Sequence, residues 1–267
     1  EPALAAGVSV IPDCGLAPGL ANVLSAGAVA ALGDGAVDRV AIRVGAIPAQ
    51  PVGAMGYQLT FSPAGLINEY AEPCEVLRDG RYATVDPLTE VEPVEWPNWG
   101  PLEAFHTAGG SSSLPHRWQG RVRDLDYKTL RYPGHAAIFQ AFSELGLFSE
   151  EIQDFDGEPV VPRRVLLRAL DAHLPRSDDD LVLLRVWATA RRNDSEVTAG
   201  YQLEDRHDGT FSALARTTAF PATALAHRMA VGAYDHPGAR AMESAISASE
   251  LVSELSSRGI DIAPWPD

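Results

Sequence analysis

The run Leu125-Asp126-Tyr127-Lys128-Thr129-Leu130-Arg131-Tyr132-Pro133-Gly134-His135 prescribes a strand, a sharp corner and a helix start within one short stretch. Pro133 presets φ, Gly134 lets the backbone approach closely, and the apolar helix that follows, Ala136 to Leu145, begins with unpaired, electropositive amides. Two cations, two phenols and an imidazole crowd that corner, which is an anion-binding composition suited to a carboxylate. The alternative is a plain helix start whose Lys128 and Arg131 are solvated or paired with Asp124 and Asp126.

The rest of the chain repeats strand and helix signals in mixed order. Val8 to Ile11 reads as a strand, and Pro12 to Gly19 as a Gly-rich corner. An Ala/Leu/Val helix then runs to about Leu32 and stops at Gly33-Asp34-Gly35. Val37 to Gly45 and Gly56 to Phe61 alternate apolar with polar residues and read as half-buried strands. Ser62-Pro63 caps a short helix through Glu69, and Glu75 to Val85 is a hairpin turning at Asp79-Gly80. Asp86 to Pro101 carries four prolines with Trp96 and Trp99 and reads as an extended surface loop. Leu102 to Thr107 and Arg121 to Leu130 are strands, and Pro162 to His173 is a helix. Leu181 to Ala190 pairs with Val197 to Leu203, and helices cover Thr217 to Gly232 and Ser247 to Gly259. This order predicts an α+β fold with a mixed, largely antiparallel sheet and flanking helices.

The 21 basic and 36 acidic residues give a net charge of −15, which repels phosphate backbones and argues against nucleic acid. The Ala-rich Leu20 to Leu32 is too short and interrupted to span a bilayer, so no membrane partner is expected. Cys14 and Cys74 form neither a disulfide framework nor a metal-spaced cluster, and a reducing compartment, the cytoplasm, fits them. The chain opens at Glu1 with no signal-like segment and reads as the interior of a longer protein.

Asp13-Cys14-Gly15 to Gly19 has the look of a substrate or phosphate corner, yet it is not GxGxxG. Cys14 is either a nucleophile or, on the simpler reading, a buried structural thiol. His106 is a candidate base or a hydrogen-bonded core histidine. Glu69 either receives a substrate ammonium or faces water. Ala108 to Ser113, with Thr107, Gly109, Gly110 and Ser111, exposes amides and hydroxyls at a ligand-facing corner.

Five stretches, PDCGLAPGLAN, YQLTFSPAGLINEY, LEAFHTAGGSSSLP, LDYKTLRYPGH and ARTTAFPATALA, together resemble the saccharopine dehydrogenase-like family, particularly its lysine ε-dehydrogenase branch. The resemblance covers nearly the whole chain. It implies an NAD(P)-dependent oxidoreductase acting on an amine or amino acid of the lysine or saccharopine type, with hydride transfer through an imine. The cofactor, NAD or NADP, would be bound mainly by a Rossmann domain outside these residues. On this basis 1–35 is a junction to that domain, 36–215 a substrate-binding and dimerisation domain, and 216–267 helices packing back towards the cofactor. The resemblance further implies a homodimer.

In the roles it implies, Lys128 and Arg131 hold a substrate carboxylate. Tyr132, Thr107, Gly109, Gly110, Ser111 and Glu69 line the pocket, and His106 or His135 keeps the amine neutral. Asp13 lies beside the nicotinamide with Cys14, Gly15, Pro18 and Gly19. Two rival classes stand beside this reading: a non-enzymatic ligand-binding or dimerisation module, and an imine reductase of the saccharopine or carboxynorspermidine type.

Overall fold

The apolar run from Val37 onward is buried along nearly its whole length, so it becomes a central strand covered on both faces. In the computed structural model, which describes residues 1–266, nine strands form the main sheet. They are β1 (Val37–Pro48), β2 (Cys74–Arg78), β3 (Arg81–Val85), β4 (Glu92–Trp96), β5 (Gly100–His106), β6 (Val122–Arg131), β7 (Asp180–Arg192), β8 (Ser195–Arg206) and β9 (Ile262–Trp265). The longer helices are α1 (Leu20–Ala31), α2 (Pro63–Ala71), α3 (His135–Glu144), α4 (Pro162–His173), α5 (Ala213–Ala230) and α6 (Ala248–Ser256).

The sheet is mixed with a single parallel pair, β1 with β6, and antiparallel neighbours elsewhere. On one side of β1 lie β7, β8 and β9; on the other lies β6. The far edge of β6 is shared: Leu125 pairs with Leu77 of β2, and Lys128 to Arg131 pair with His106 to Glu103 of β5. One strand thus carries two hairpins, and its C-terminal half is flanked by sheet on both edges.

Alternation divides the two faces. The inner face carries Val40, Ile42, Val44, Leu125, Tyr127, Val182, Leu184 and Val186, which pack with α1, α5 and α6 in the largest core. A second inner cluster joins α2, α3 and α4 through Tyr70, Phe139, Leu166 and Phe105. The outer face holds a smaller core of Ile47, Trp96, Leu102, Leu130, Tyr132 and Leu183.

Two expectations need correction. Gly56 to Phe61 is not a strand: the Tyr57 and Leu59 amides go to the Val52 and Pro175 carbonyls, and both side chains are buried in the cluster formed with α2, α3 and α4. The Pro-rich Asp86 to Pro101 is not all loop, since β4 lies within it. As the outer partner of β5, β4 tolerates Pro93, whose missing N–H an edge strand does not need.

Candidate functional site

Odd-numbered residues of β6 project to the inner face, so Tyr127, Thr129 and Arg131 line up along one wall of a cavity of about 550 Å³. Val44 and Ala46 of β1 form its floor beside them. Thr60, Phe61 and Glu69 come from the segment leading into α2 and from α2 itself. The corner Asp13 to Pro18 and the first turns of α5 (Leu214, Ala215, Thr218) close the opposite side.

Arg131 is the dominant charge. It is 3% exposed and, among the described residues, has no carboxylate within ion-pair distance. Its Nη1 donates to its neighbour's carbonyl, Leu130 O, at 2.9 Å, its guanidinium lies 5.1 Å from the centre of the Tyr57 ring, and its Nε has no partner. Arginines are almost never buried unless paired, and the free Nε edge is the one whose fork geometry suits a carboxylate. Tyr57 Oη and Thr60 Oγ1 are likewise buried without partners. Glu69, half-buried on the cavity wall, has its carboxyl pushed up to about 7 by burial, with Arg131 opposing.

Behind Arg131, His135 is fully enclosed. Its Nδ1 lies 3.1 Å from Met55 O and its Nε2 3.0 Å from Tyr70 Oη. A carbonyl can only accept, so Nδ1 carries the proton and Nε2 accepts from the phenol. Burial, reinforced by Arg131, lowers its pKa to about 3. His135 is therefore a neutral support for Tyr70, not a base at neutral pH.

The predicted pairing of Lys128 with Arg131 does not occur. Three residues along a strand is an odd step, and Lys128 points to the outer face, where it donates to Glu90 O at 2.6 Å and Glu92 Oε2 at 3.0 Å. His106 is on that same face, bonded through Nε2 to Glu90 Oε2 at 3.0 Å, and burial lowers its pKa. Arg43 completes the outer ladder with Asp126 and Glu92, each at 2.6 Å. Tyr132 is also outer, donating to Pro48 O. Lys128, His106 and Tyr132 thus stand apart from the cavity.

The helix start at Pro133-Gly134 does bind an anion, but an internal one. Glu103 of β5 accepts from the Gly134 amide at 2.9 Å and the Ala136 amide at 2.7 Å. An external carboxylate is excluded from that corner.

The remaining candidates buttress the cavity. Thr107 bonds Thr129 at 2.7 Å, and Gly110 lies so close to Tyr127 that a Cβ there would sit 2.3 Å from its ring. Gly109 has φ +89°. Ser111 O accepts from Asn22 of α1, and Ser112 donates to Asp13 at 2.5 Å, tying this loop to the corner. Cys14 is half-buried with its thiol pKa raised by burial and then by Asp13, the reverse of an activated nucleophile. Tyr127 and Thr129 join the site because they alternate with Arg131 along β6, a spacing visible in the sequence. Thr218 lies in the ARTTAFPATALA stretch, but only the docking of α5 brings it to the site.

The model of the saccharopine dehydrogenase C-terminal domain matches residues 15–260. The chain belongs to that family. Rat mitochondrial alpha-aminoadipic semialdehyde synthase is 25% identical over 154 residues, 55% of this chain and 17% of the rat protein. The apo saccharopine dehydrogenase (L-Glu forming) of Saccharomyces cerevisiae superposes with a TM-score of 0.78 at 17% identity, covering 99% of this chain and 75% of the yeast one. The homospermidine synthase of Legionella pneumophila, solved in complex with NAD, gives 0.62 at 11% identity, covering 96% and 63%. The saccharopine dehydrogenase C-terminal fold is thus shared across these proteins.

Membership raises the question of a nicotinamide dinucleotide, and the backbone answers part of it. At the start of α1, the Gly15, Leu20 and Ala21 amides donate to Pro18, Gly15 and Leu16 carbonyls, and the Gly19 amide donates to Asn22 Oδ1. Gly19, at φ +136°, is required because a Cβ would sit 2.3 Å from Gly15 O. These amides are spent on the turn itself and do not fit a pyrophosphate. Gly15 to Pro18 form a cavity wall, not a phosphate cradle, and Cys14 and Gly19 do not line the cavity.

Among the described residues no helix is long and apolar enough to cross a membrane, and no group of three or more His, Cys, Asp or Glu could hold a metal ion.

Proposed function

We propose that this chain is the substrate-binding part of an oxidoreductase that acts on an amino acid of the lysine or saccharopine type, through an imine. The observation that carries this reading is Arg131, a buried cation aimed into a cavity without an anion of its own. An amino acid supplies the missing carboxylate, and Glu69 on the same wall faces its ammonium. Both termini of a zwitterion are then matched on the walls of one cavity. Family membership supports the oxidoreductase class.

The hydride acceptor in this reading is NAD or NADP, held mainly by a domain outside these residues. When bound, it supplies the two-electron acceptor. The residues of this chain bind and orient: Arg131, backed by the Tyr57 ring, fixes the carboxylate, Phe61 lines the cavity beside it, and the corner of Asp13 and Gly15 to Pro18 borders its mouth. A homodimer belongs to the same reading.

The test is titration of the chain with L-lysine, saccharopine and L-glutamate, followed by turnover with NAD and NADP by the full reading-frame product. A desolvated charged hydrogen bond contributes ~1.5–3 kcal/mol, so Arg131→Leu should weaken carboxylate ligands by roughly 10- to 100-fold. Unchanged affinity in a folded Arg131→Leu protein would remove Arg131 from the site.

A further inference from the structure

Glu69 differs from the other titratable groups around the cavity. It lies near the end of α2, whose backbone is fixed there by the Ala108 amide donating to Glu69 O at 2.9 Å. Its side chain lines the cavity, and among the described residues its carboxylate has no hydrogen-bond donor or ion-pair partner within range. Arg131 of β6 and the phenols of Tyr57, Tyr70 and Tyr127 face it, while Asp13 stands at the cavity mouth. The α5 wall, Leu214, Ala215 and Thr218, brings no charge. The three phenols are all pushed above their ordinary value by burial and remain protonated. His135 has both nitrogens committed, and His106 is on the other side of the sheet.

We propose that Glu69 accepts a proton from the ammonium of the amino acid whose carboxylate Arg131 holds, leaving the nitrogen with a free lone pair. The inference rests on the zwitterion reading of the cavity. In this step one N–H bond breaks and one O–H bond forms on Glu69. The N–H electron pair stays on nitrogen, and ammonium plus carboxylate become neutral amine plus neutral acid. Nothing is oxidised and no third reactant is consumed. Hydride loss from the neighbouring carbon needs that lone pair, so the group that takes the proton sets when oxidation can begin.

Titration calorimetry of the full chain with L-lysine at pH 7, in two buffers of different ionisation heat, counts the protons released on binding. A carboxyl that titrates at about 7 is about half protonated there, so wild type should release about half a proton per site. Glu69→Gln should bind within about tenfold of wild type and release none, and Glu69→Asp should restore release. In the full reading-frame product, Glu69→Gln should lower kcat by roughly 10²- to 10⁴-fold and erase the acidic limb of the pH profile. Equal proton release by wild type and Glu69→Gln would overturn the role of Glu69 and leave Arg131 in place. No binding of any amino acid by wild type would overturn both.

Discussion

Removing the Glu103 carboxylate should uncover the start of α3. In the native protein its two oxygens accept from the Gly134 and Ala136 amides at 2.9 and 2.7 Å, so both ends of the carboxylate are engaged. Loss of a capping acceptor costs ~1 kcal/mol, and loss of a negative charge beside the positive helix end costs a further ~0.5 kcal/mol. Glu103→Ala should therefore lose about 1.5 kcal/mol, and Glu103→Gln, which keeps one acceptor and no charge, about half as much. At roughly 2 °C per kcal/mol for a chain of this length, Glu103→Ala should melt about 3 °C below wild type, read by far-ultraviolet circular dichroism. The vacated amides become an anion site, so sulfate should raise the Tm of Glu103→Ala more than that of wild type. Equal melting within about 1 °C, with equal response to sulfate, would refute the assignment of Glu103 as the anion at this helix.

Tyr70→Phe removes the donor to buried His135 Nε2 and should cost ~1–3 kcal/mol, measured by urea unfolding. In wild type the His135 ring signals should stay flat in NMR between pH 8 and 5, because its pKa is lowered to about 3; a transition near 6.5 would show an exposed ring. Since the folded value lies below the unfolded one, stability contributed by neutral His135 is complete above about pH 6.5 and is lost as pH falls towards 3. Gly110→Ala places a Cβ 2.3 Å from the Tyr127 ring and should cost ~1–3 kcal/mol by overpacking. Because Tyr127 lines the cavity, that variant should also bind amino acids more weakly, whereas Gly109→Ala, with nothing within 4 Å of its Cβ, should lower stability through its positive φ and leave affinity unchanged.

Much of the fold is legible where one residue pattern decides it. Ser62-Pro63 is a working cap, with Ser62 accepting from the Gly65 amide. The Asp79-Gly80 turn is there, with φ of +50° and +75°, and Pro162–His173 is helical as read. The site is legible in part. Arg131 stands out by its composition, but its separation from Lys128 follows only once the segment is taken as a strand and the pleat is counted. The environment of Glu103 and the docking of Thr218 depend on contacts between residues far apart in the chain. No local pattern encodes them.

The cavity walls are gathered from residues 13–18, 44–46, 60–69, 127–131 and 214–218. A Cβ on Gly15 would lie 3.4 Å from Thr218, so closing this wall also closes a loop on the order of 200 residues, among the entropically costlier contacts in the chain. The binding space is therefore absent from any partly assembled form that lacks the first corner or α5. A ligand that fills it acts on the complete fold alone, and resistance to proteolysis near Pro18 should rise with ligand concentration as that closure is held shut.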